Sequence, residues 1–377
     1  MKKKILFIAG NARSLIANRK DLIFEILKRN YEVSAAVPKE DMLSEVKDLK
    51  IKIIPFYLSR LSNNPIKNIL TIYYLYKIIR EEKPYIIYSY TIKPVVLGTL
   101  AGFLANVPFR YSMITGLGYT FSDRKNIKAL IIRFISSLLY KLGISLSTKI
   151  FFQNNDDLKF FIKNKILLNP KKGIRVMGSG VNLDKFPPLP LPTDQLNFLF
   201  VGRLIKEKGV NEFYKAAKNI LENYPNVKFT IVGGYNPNLP DSIEKSLLNK
   251  IQNTEGIKYV GHVKDIKPFL LKSSVFVLPS YYREGVPRAS LEAMASSRPL
   301  ITCNTVGCKD TVVDGFNGYL IPARNHKRLE EAMEIFIKNN DLIKSMGKNS
   351  LSFVKENFNS VDVNIMIMKN MDIKIDN

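Results

Sequence analysis

Residues that metal, disulfide and hydrolase chemistry require are scarce in this sequence. The 377 residues include only two cysteines and two histidines. Cys303 and Cys308 form a C-x4-C pair without further cysteines or a nearby histidine, which is a poor zinc site and is consistent with a reducing compartment. We therefore expect both to be structural thiols. The histidines, His262 and His326, both lie in the second half of the chain, and the absence of a G-x-S-x-G motif disfavours a serine hydrolase.

Long apolar runs are also missing. The longest stretch without a charged residue, 94–109, has sixteen residues, whereas a membrane-spanning helix needs ~20. The amino-terminal KKKILFIA resembles the start of a signal peptide, but its apolar part is too short before Asn11 and Arg13. We interpret it as the first strand of a domain and expect a cytoplasmic protein.

Acidic residues are few in the first half of the chain. Residues 1–190 hold 32 Lys and Arg against 13 Asp and Glu, a net charge of +19, while the remainder holds 25 against 20, a net charge of +5. The segment 124–141 combines large apolar side chains with cations and has a helical pattern; its cations are Arg124, Lys125, Lys128, Arg133 and Lys141. Such a helix can lie in a membrane interface. The alternative is a core helix with a solvated basic face.

Nucleic acid is the other common partner of a basic chain, but no aromatic RNP-like strand, zinc-finger spacing or recognition-helix module is present. We therefore expect no nucleic-acid partner and favour peripheral association with the inner face of the cytoplasmic membrane. Hydrophobic residues make up 46% of the sequence, which is sufficient for two cores.

The chain alternates short β-rich runs with helical stretches on both sides of a proline-rich segment, FPPLPLP at 186–192. Four prolines in seven residues cannot continue a helix or a central strand. The β-rich runs are 5–9, 32–37, 51–57, 85–90, 109–114, 149–153, 198–201, 229–232, 258–260, 275–278 and 300–302. This α/β alternation predicts two Rossmann-like, doubly wound parallel sheets. We expect domains at 1–186 and 187–350, and a last helix over 358–375, within the terminal segment 351–377, that crosses back to the first domain.

Two glutamates eight residues apart follow the apolar run at 275–278. Glu284 is predicted to lie in the loop after this strand and Glu292 in the helix that starts near Pro287. Ligands bind at the carboxyl ends of strands in open α/β sheets, so the pair could contact two ends of one polar ligand. An isolated glutamate pair of this kind is more often solvated surface.

Further motifs give these glutamates their context. VGRLIKEKG at 201–209 follows a predicted strand, and Gly233 and Gly234 follow the next one. With the E-x7-E pair, these motifs resemble retaining GT-B glycosyltransferases of family 4, and the resemblance covers residues 1–350. It implies two domains that face each other across a cleft, with the donor bound mainly by the second domain.

The resemblance also implies roles for individual residues. Arg203 and Lys208 would neutralise the diphosphate of a nucleotide-sugar, because a guanidinium and an ammonium suit a diphosphate leaving group. Glu292 would accept hydrogen bonds from the ribose, and Glu284 would lie against the sugar ring. We expect catalytic roles for Glu284, Arg203 and Lys208.

Other donor contacts are implied by position. Gly233, Gly285 and Val286 lie beside these motifs, and His262 follows a strand near the expected place of the nucleotide base. Gly10 and Asn11 follow the first strand, where the family has a glycine loop near the donor phosphates; a plain turn is the alternative there. No D-x-D motif occurs, so we expect no metal and no cofactor other than the UDP-sugar co-substrate.

A subgroup is indicated by TGLGYTF at 115–121, by Asn154 with the two aspartates that follow, and by GSGVN at 178–182. These segments resemble lipid-linked-sugar N-acetylgalactosaminyltransferases of bacterial surface-glycan synthesis. One departure concerns the histidine that many family members carry in the first domain. Thr115 or Gly116 takes its place here, and neither can do the work of an imidazole.

The sequence therefore predicts a retaining glycosyltransferase that moves an N-acetylhexosamine or hexose from a UDP-sugar to a polyprenyl-diphosphate-linked saccharide. The alternatives are a UDP-sugar 2-epimerase on the same fold, a glycosyltransferase with a soluble acceptor, and a catalytically silent membrane- or glycan-binding protein. Intact motif residues disfavour the silent protein, and the E-x7-E pair with its diphosphate loop disfavours the epimerase.

Overall fold

The computed structural model describes residues 2–39, 44–58, 64–121, 127–193, 195–239 and 241–374. The chain forms two compact units, of which the first is Met1–Ser179 with Ser360–Asn377 and the second is Gly180–Asn359. The chain thus passes between the units at 179–180 and again at 359–360. The proline-rich segment 186–192 lies within the second unit.

A parallel sheet of seven strands forms the centre of the first unit. The strands are β1 Lys4–Ile8, β2 Glu32–Pro38, β3 Lys52–Phe56, β4 Ile86–Tyr90, β5 Phe109–Ile114, β6 Lys149–Phe152 and β7 Gly173–Arg175. Their spatial order is β3-β2-β1-β4-β5-β6-β7. The order reverses between β1 and β4, so the loops after these two strands border the crevice in which doubly wound sheets bind ligands.

Helices cover both faces of this sheet. They are α1 Ala12–Lys28, α2 Pro65–Glu82, α3 Thr99–Leu104, α4 Ile127–Ser145 and α5 Asn155–Lys163, and a π-helix, Pro94–Gly98, precedes α3. Asparagine side chains cap α1, α2 and α5 by accepting a hydrogen bond from a backbone N–H of the first turn. Because both faces are covered, strands such as β1 and β4 are apolar and buried along almost their whole length.

The second unit repeats this design with six parallel strands. These are β8 Asn197–Val201, β9 Lys228–Val232, β10 Ile257–Gly261, β11 Val275–Leu278, β12 Leu300–Cys303 and β13 Gly318–Ile321. Their order is β10-β9-β8-β11-β12-β13, and it reverses between β8 and β11. The helices are α6 Val210–Asn223, α7 Lys245–Gln252, α8 Lys267–Leu271, α9 Arg288–Ala295, α10 His326–Lys338 and α11 Asp341–Asn357.

The last helix, α12 Ser360–Asn370, belongs to the first unit. It packs beside α1, and its buried Val363, Ile367 and Met368 join the core on that face of the sheet. The Lys149 ammonium also donates a hydrogen bond of 2.9 Å to the Asn370 carbonyl at the end of this helix. The carboxyl-terminal segment is therefore part of the core of the first unit.

The prediction of two Rossmann-like, doubly wound parallel sheets is confirmed. All eleven predicted strands are present, and no strand end differs from its predicted position by more than one residue. Two further strands, β7 and β13, extend the sheets at their edges. The first has only three residues, and the second begins at Gly318, whose φ of +153° and close approach to the Leu300 carbonyl leave no room for a side chain. A glycine in the sequence indicates a turn more often than the start of a strand, so β13 was not predicted.

A buried arginine stabilises the proline-rich segment. Arg298 has no exposed surface, and its guanidinium donates hydrogen bonds to the carbonyls of Leu270, Leu189 and Pro190 at 3.0, 3.1 and 2.7 Å. Burial lowers the pKa of Arg298 to about 10. The planar fork of arginine suits three carbonyls on two chain segments, so this side chain fixes the prolines against the second sheet.

Candidate functional site

The site of the second unit lies at the reversal of its strand order. β8 and β11 are neighbours in the sheet, and the loops after them carry the two main predicted motifs. The loop after β8 contains Arg203 and Lys208, and the loop after β11 contains Glu284. Parallel topology therefore brings together residues that are about eighty positions apart in the chain.

The loop after β8 is held by close backbone packing. It forms a single 3-10 turn, Lys206–Lys208, and then Gly209 with φ +77° leads into α6. A side chain on Gly209 would lie 2.1 Å from the Pro279 carbonyl oxygen, and one on Gly233 would lie 1.7 Å from the Gly202 carbonyl oxygen. Only glycine fits at either point, so these residues set the path of the loop.

The two cations of this loop converge on one aromatic ring. The Arg203 guanidinium carbon lies 5.6 Å from the centroid of the Tyr282 ring, and the Lys208 ammonium lies 6.0 Å from the same centroid. Arg203 is exposed and Lys208 is partly buried. Cations near an aromatic face are favourably placed, and the Tyr282 ring is a neighbour that both cations share.

Glu284 is the counter-charge of Lys208. The Lys208 ammonium donates a hydrogen bond to Glu284 Oε1, and Ser280 Oγ donates to the same oxygen at 3.2 Å. The backbone around this carboxylate is fixed, because the carbonyls of Glu284 and Gly285 pack against Gly307, whose φ is +79°. The carboxylate therefore projects from a rigid loop next to the predicted diphosphate cations.

The backbone of the 3-10 turn also binds the loop after β11 directly. The Glu207 carbonyl accepts hydrogen bonds from the amides of Tyr281 and Tyr282, at 2.8 and 2.9 Å. Ser280 Oγ lies 3.3 Å from the same carbonyl, which is a second possible acceptor for its one hydroxyl proton. These bonds place Tyr282 and Glu284 relative to Lys208 and make the two loops one structural element.

Glu292 is the fifth residue of α9 and is 8% exposed. Burial raises the pKa of its carboxyl, and the charge and hydrogen bond of Arg288 oppose that shift. Arg288 Nε donates to Glu292 Oε1 at 2.6 Å, one helical turn apart. The α9 helix begins directly after Pro287, which follows Gly285 and Val286. A buried carboxylate held by one arginine can accept hydrogen bonds from ligand hydroxyls.

Gly233 and His262 lie at the ends of neighbouring strands. The Gly233 amide donates to the Gly261 carbonyl at 2.8 Å, and the Tyr259 hydroxyl donates to the Gly233 carbonyl at 3.0 Å. His262 is exposed, and its Cβ lies 3.6 Å from the position that a side chain on Gly234 would occupy. His262, after β10, thus lies next to the glycine pair after β9, and β9 is two strands away from β11 in the sheet.

Gly10 and Asn11 lie in the first unit, at the reversal between β1 and β4. Asn11 Oδ1 accepts a hydrogen bond of 2.7 Å from the Ser14 amide and caps α1. The close packing of Thr91 favours glycine at position 10, because a side chain there would lie 2.3 Å from Thr91 Oγ1. Both residues therefore have a structural role in this loop, in addition to any contact with a donor phosphate.

Sequence reasoning missed two members of the second unit's site. Tyr282 was not predicted, although it is the ring on which both cations converge. Arg288 was not assigned to Glu292, although their i,i+4 spacing could have indicated the pair. Among the described residues, no group of three or more His, Cys, Asp or Glu side chains could hold a metal ion. Cys303 and Cys308 are buried, and burial raises the pKa of the Cys308 thiol to about 12.

Comparisons with known families agree with this geometry. Residues 182–353 match the model of glycosyl transferases group 1, and residues 4–154 match that of the glycosyl transferase 4-like domain. The first match covers the site of the second unit, and the two matches together account for most of the chain. The chain is therefore a glycosyltransferase, with its match to the group 1 family over residues 182–353. Its resemblance to family 4, predicted from the sequence, is confirmed.

Curated relatives match this glycosyltransferase over nearly its whole length. It is 29% identical to the N,N'-diacetylbacillosaminyl-diphospho-undecaprenol alpha-1,3-N-acetylgalactosaminyltransferase of Campylobacter jejuni, covering 92% of this chain and 93% of that protein. It is 28% identical to the Escherichia coli UDP-Gal:alpha-D-GlcNAc-diphosphoundecaprenol alpha-1,3-galactosyltransferase, covering 90% and 88%. The Staphylococcus aureus capsular polysaccharide biosynthesis glycosyltransferase CapM is also 28% identical, covering 95% and 94%.

Solved structures share the fold of this glycosyltransferase. Sucrose-phosphate synthase from Thermosynechococcus elongatus has a TM-score of 0.79 at 17% identity, covering 98% of each chain. Anabaena HepE, solved in complex with UDP and glucose, has a TM-score of 0.77 at 16% identity, covering 98% of this chain and 99% of that one. The fold is therefore GT-B, as the sequence predicted.

Proposed function

We propose that this glycosyltransferase moves an N-acetylhexosamine or a hexose from a UDP-sugar to a saccharide linked to a polyprenyl diphosphate, in bacterial surface-glycan synthesis. The observation that carries the donor assignment is the convergence of Arg203 and Lys208 on Tyr282, beside Glu284. The acceptor assignment is supported by the undecaprenyl-diphosphate-linked acceptors named for the relatives in Campylobacter jejuni and Escherichia coli.

The proposed reaction retains the anomeric configuration. The bond between the sugar C1 and the diphosphate oxygen breaks, and a bond between C1 and an acceptor hydroxyl forms on the same face. The acceptor proton passes to the departing diphosphate. Arg203 and Lys208 stabilise the charge that develops on the UDP leaving group, which is the main contribution that fixed cations make to such a transition state.

The two glutamates take different parts in this proposal. Glu284 orients the sugar ring, and Lys208 and Ser280 hold its carboxylate in place. Glu292 accepts hydrogen bonds from the ribose, for which its burial and its single arginine partner suit it. The donor is lined in the second unit by Gly233, Gly285, Val286 and His262. In the first unit, the donor phosphates contact Gly10 and Asn11.

The acceptor is proposed to be held by the first unit at a membrane surface. Exposed large apolar side chains cover α4 and the start of α2 and form what we name the α2–α4 face. On α4 they are Ile127, Leu130, Ile131, Phe134, Ile135, Leu138, Leu139 and Leu142, and on α2 they are Ile66, Ile69, Leu70, Tyr73 and Tyr74. Both helices pack against the π-helix Pro94–Gly98, and exposed apolar side chains in this number mark an interaction surface.

Charge complementarity supports a lipid surface as the proposed occupant of this face. The first 190 residues have a net charge of +19, and α2 adds exposed Lys67, Lys77 and Arg80 beside its apolar side chains. On α4, Arg133 and Lys141 are partly buried. The other predicted cations, Arg124 and Lys125, lie outside the described residues, and the side chain of Lys128 is not described either. No helix among the described residues is long and apolar enough to cross a bilayer.

The experiment that tests the function measures UDP release by the purified enzyme across a panel of UDP-sugars. We expect release only when a polyprenyl-diphosphate-linked saccharide is also present, with a lipid product heavier by one sugar. Interconversion of UDP-sugars without acceptor would establish the epimerase instead. Equal release with free oligosaccharide would establish a soluble acceptor. Absence of any turnover despite donor binding would favour a silent binding protein.

A further inference from the structure

The loop after β4, which borders the crevice of the first unit, carries a cation that the sequence motifs did not single out. In both units the strand order reverses at one point, between β8 and β11 in the second and between β1 and β4 in the first. In the second unit this point holds Lys208. In the first unit the loop after β4 holds Lys93, three residues beyond the strand end. Lys208 follows β8, the counterpart of β1, whereas Lys93 follows β4, the counterpart of β11, so the two lysines border the reversal points of their sheets from different strands.

The loop that carries Lys93 has an unusual backbone. Thr91 has φ +69°, a left-handed conformation that is a genuine outlier for a β-branched residue. Its Oγ1 occupies the space that a side chain on Gly10 would need, and the Pro94 ring lies 3.6 Å from the same point. The Val95 amide donates to the Thr91 carbonyl at 3.0 Å. The loops after β1 and β4 are therefore packed into one rigid element.

Lys93 is partly buried in this element, and burial lowers the pKa of its ammonium. A cation that has lost part of its hydration gains more from an anionic ligand than an exposed lysine does. Lysine is a common phosphate ligand, because its ammonium is a compact charge that can approach phosphate oxygens from several directions.

Lys93 also lies at the base of the apolar surface. It immediately precedes the π-helix Pro94–Gly98, which packs against α2, α3 and α4. The contact with α4 is close, because a side chain on Gly143 would lie 2.9 Å from the Val96 Cα. The segment that positions Lys93 is therefore the segment on which the helices of the α2–α4 face rest.

We propose that Lys93 binds the phosphate groups of the polyprenyl-diphosphate acceptor in the crevice between β1 and β4. A ligand of this chemistry has a diphosphate beside a long apolar chain, which matches a cation at the base of an apolar surface. The inference rests on the proposed function for the identity of the acceptor. The UDP-sugar is the other source of diphosphate, and Arg203 and Lys208 of the second unit are its proposed ligands.

Direct binding tests this assignment without turnover. The affinities of geranyl diphosphate and of UDP are measured for the wild-type protein and for Lys93→Gln, Lys93→Arg and Arg203→Ala. We expect geranyl diphosphate to bind at least ~10-fold more weakly to Lys93→Gln, which is ~1.4 kcal/mol, and nearly normally to Lys93→Arg. We expect UDP binding to fall in Arg203→Ala and to stay unchanged in both Lys93 variants.

The control is Lys171→Gln, which removes an exposed lysine of the same unit and should change neither affinity. Unfolding temperatures show whether each variant is folded. Lys93→Arg keeps the positive charge and serves as the comparison if Lys93→Gln does not fold. Equal geranyl diphosphate affinity in all lysine variants overturns the inference, and so does a loss of UDP affinity in Lys93→Gln. An enzyme that fails to use lipid-linked acceptors refutes the proposed function, while this binding comparison still decides the role of Lys93.

Discussion

Lys208 and Glu284 form a hydrogen-bonded ion pair across the reversal of strand order in the second unit. The side chains are 12% and 14% exposed, so the pair is largely shielded from water. Each partner belongs to a different motif, and each keeps the other in place before a donor arrives. Arrival of a diphosphate at Lys208 would give its ammonium a second anionic partner, so we expect the position of the Glu284 carboxylate to depend on whether the diphosphate is bound.

Removal of either cation of the diphosphate loop should slow transfer strongly. We expect Arg203→Ala and Lys208→Ala each to lower turnover ~100-fold or more, because each removes a fixed charge directed at the leaving group. Steady-state kinetics with saturating acceptor measures this. The matched control is Lys206→Ala in the same turn, whose ammonium makes an exposed pair with Glu244 at 3.5 Å. Near-normal turnover in both test variants would refute the assignment of the loop.

The two glutamates should separate in their kinetic effects. We expect Glu292→Gln to weaken donor binding ~10-fold with a smaller change in kcat, since a ribose contact is made in ground and transition states alike. Glu284→Gln should lower kcat with less effect on donor affinity. Donor affinities from calorimetry, combined with kcat, distinguish the two. If the effects are reversed, the two roles have been exchanged.

The ionised carboxyl of Glu292 should destabilise the folded protein at neutral pH more than at acidic pH. Burial raises the pKa of this carboxyl above its ordinary value of 4.5, so the folded state favours the protonated form. The stabilisation that this provides is present below 4.5 and is lost as pH rises through the raised value. We therefore expect Glu292→Gln to unfold at a higher temperature than wild type at about pH 7.5, with a smaller gap at about pH 5. A gap that does not change with pH would contradict this.

Most of the sheet architecture could be predicted from the sequence, because buried parallel strands are short apolar runs between helices. Two strands were not predicted in this way, because β7 has only three residues and β13 begins with a glycine. The roles expected for Arg203, Lys208, Glu284 and Glu292 came from the family resemblance of their motifs. Tyr282 and Lys93 were not singled out, because each is placed by which strands are neighbours, and spacing along the chain does not contain that information.

The glycine pair after β9 offers a matched test of backbone packing. In Gly233→Ala the new methyl group would lie 1.7 Å from the Gly202 carbonyl oxygen, so the diphosphate loop must move. In Gly234→Ala the nearest atom, His262 Cβ, lies 3.6 Å away, an ordinary contact. We expect the first change to destabilise the protein by ~2 kcal/mol or more and to abolish donor binding. The second should alter stability by less than ~1 kcal/mol. Similar effects of the two changes would contradict this packing.

Two kinds of substitution should separate the forces that hold the first unit on a membrane. Phe134 on α4 is 66% exposed, and burial of such a side chain contributes ~1.5–3 kcal/mol at any salt concentration. Each cation near an anionic leaflet contributes ~1 kcal/mol, which salt screens within ~8 Å. We therefore expect Phe134→Asp to reduce sedimentation with both anionic and neutral vesicles. Reversal of Lys125, Lys128 and Arg133 to Glu should reduce it only with anionic vesicles at low salt.

The matched control for the apolar change is Phe316→Asp in the second unit, where the phenylalanine is 44% exposed and lies outside the α2–α4 face. It should leave vesicle binding unchanged, because only the first unit is proposed to meet the lipid. Equal binding to anionic and neutral vesicles by wild type would remove the electrostatic part of the proposal. If Phe134→Asp and the charge reversal both leave binding unchanged in folded protein, the α2–α4 face is a solvated surface. A soluble acceptor would then fit the enzyme better than a lipid-linked one.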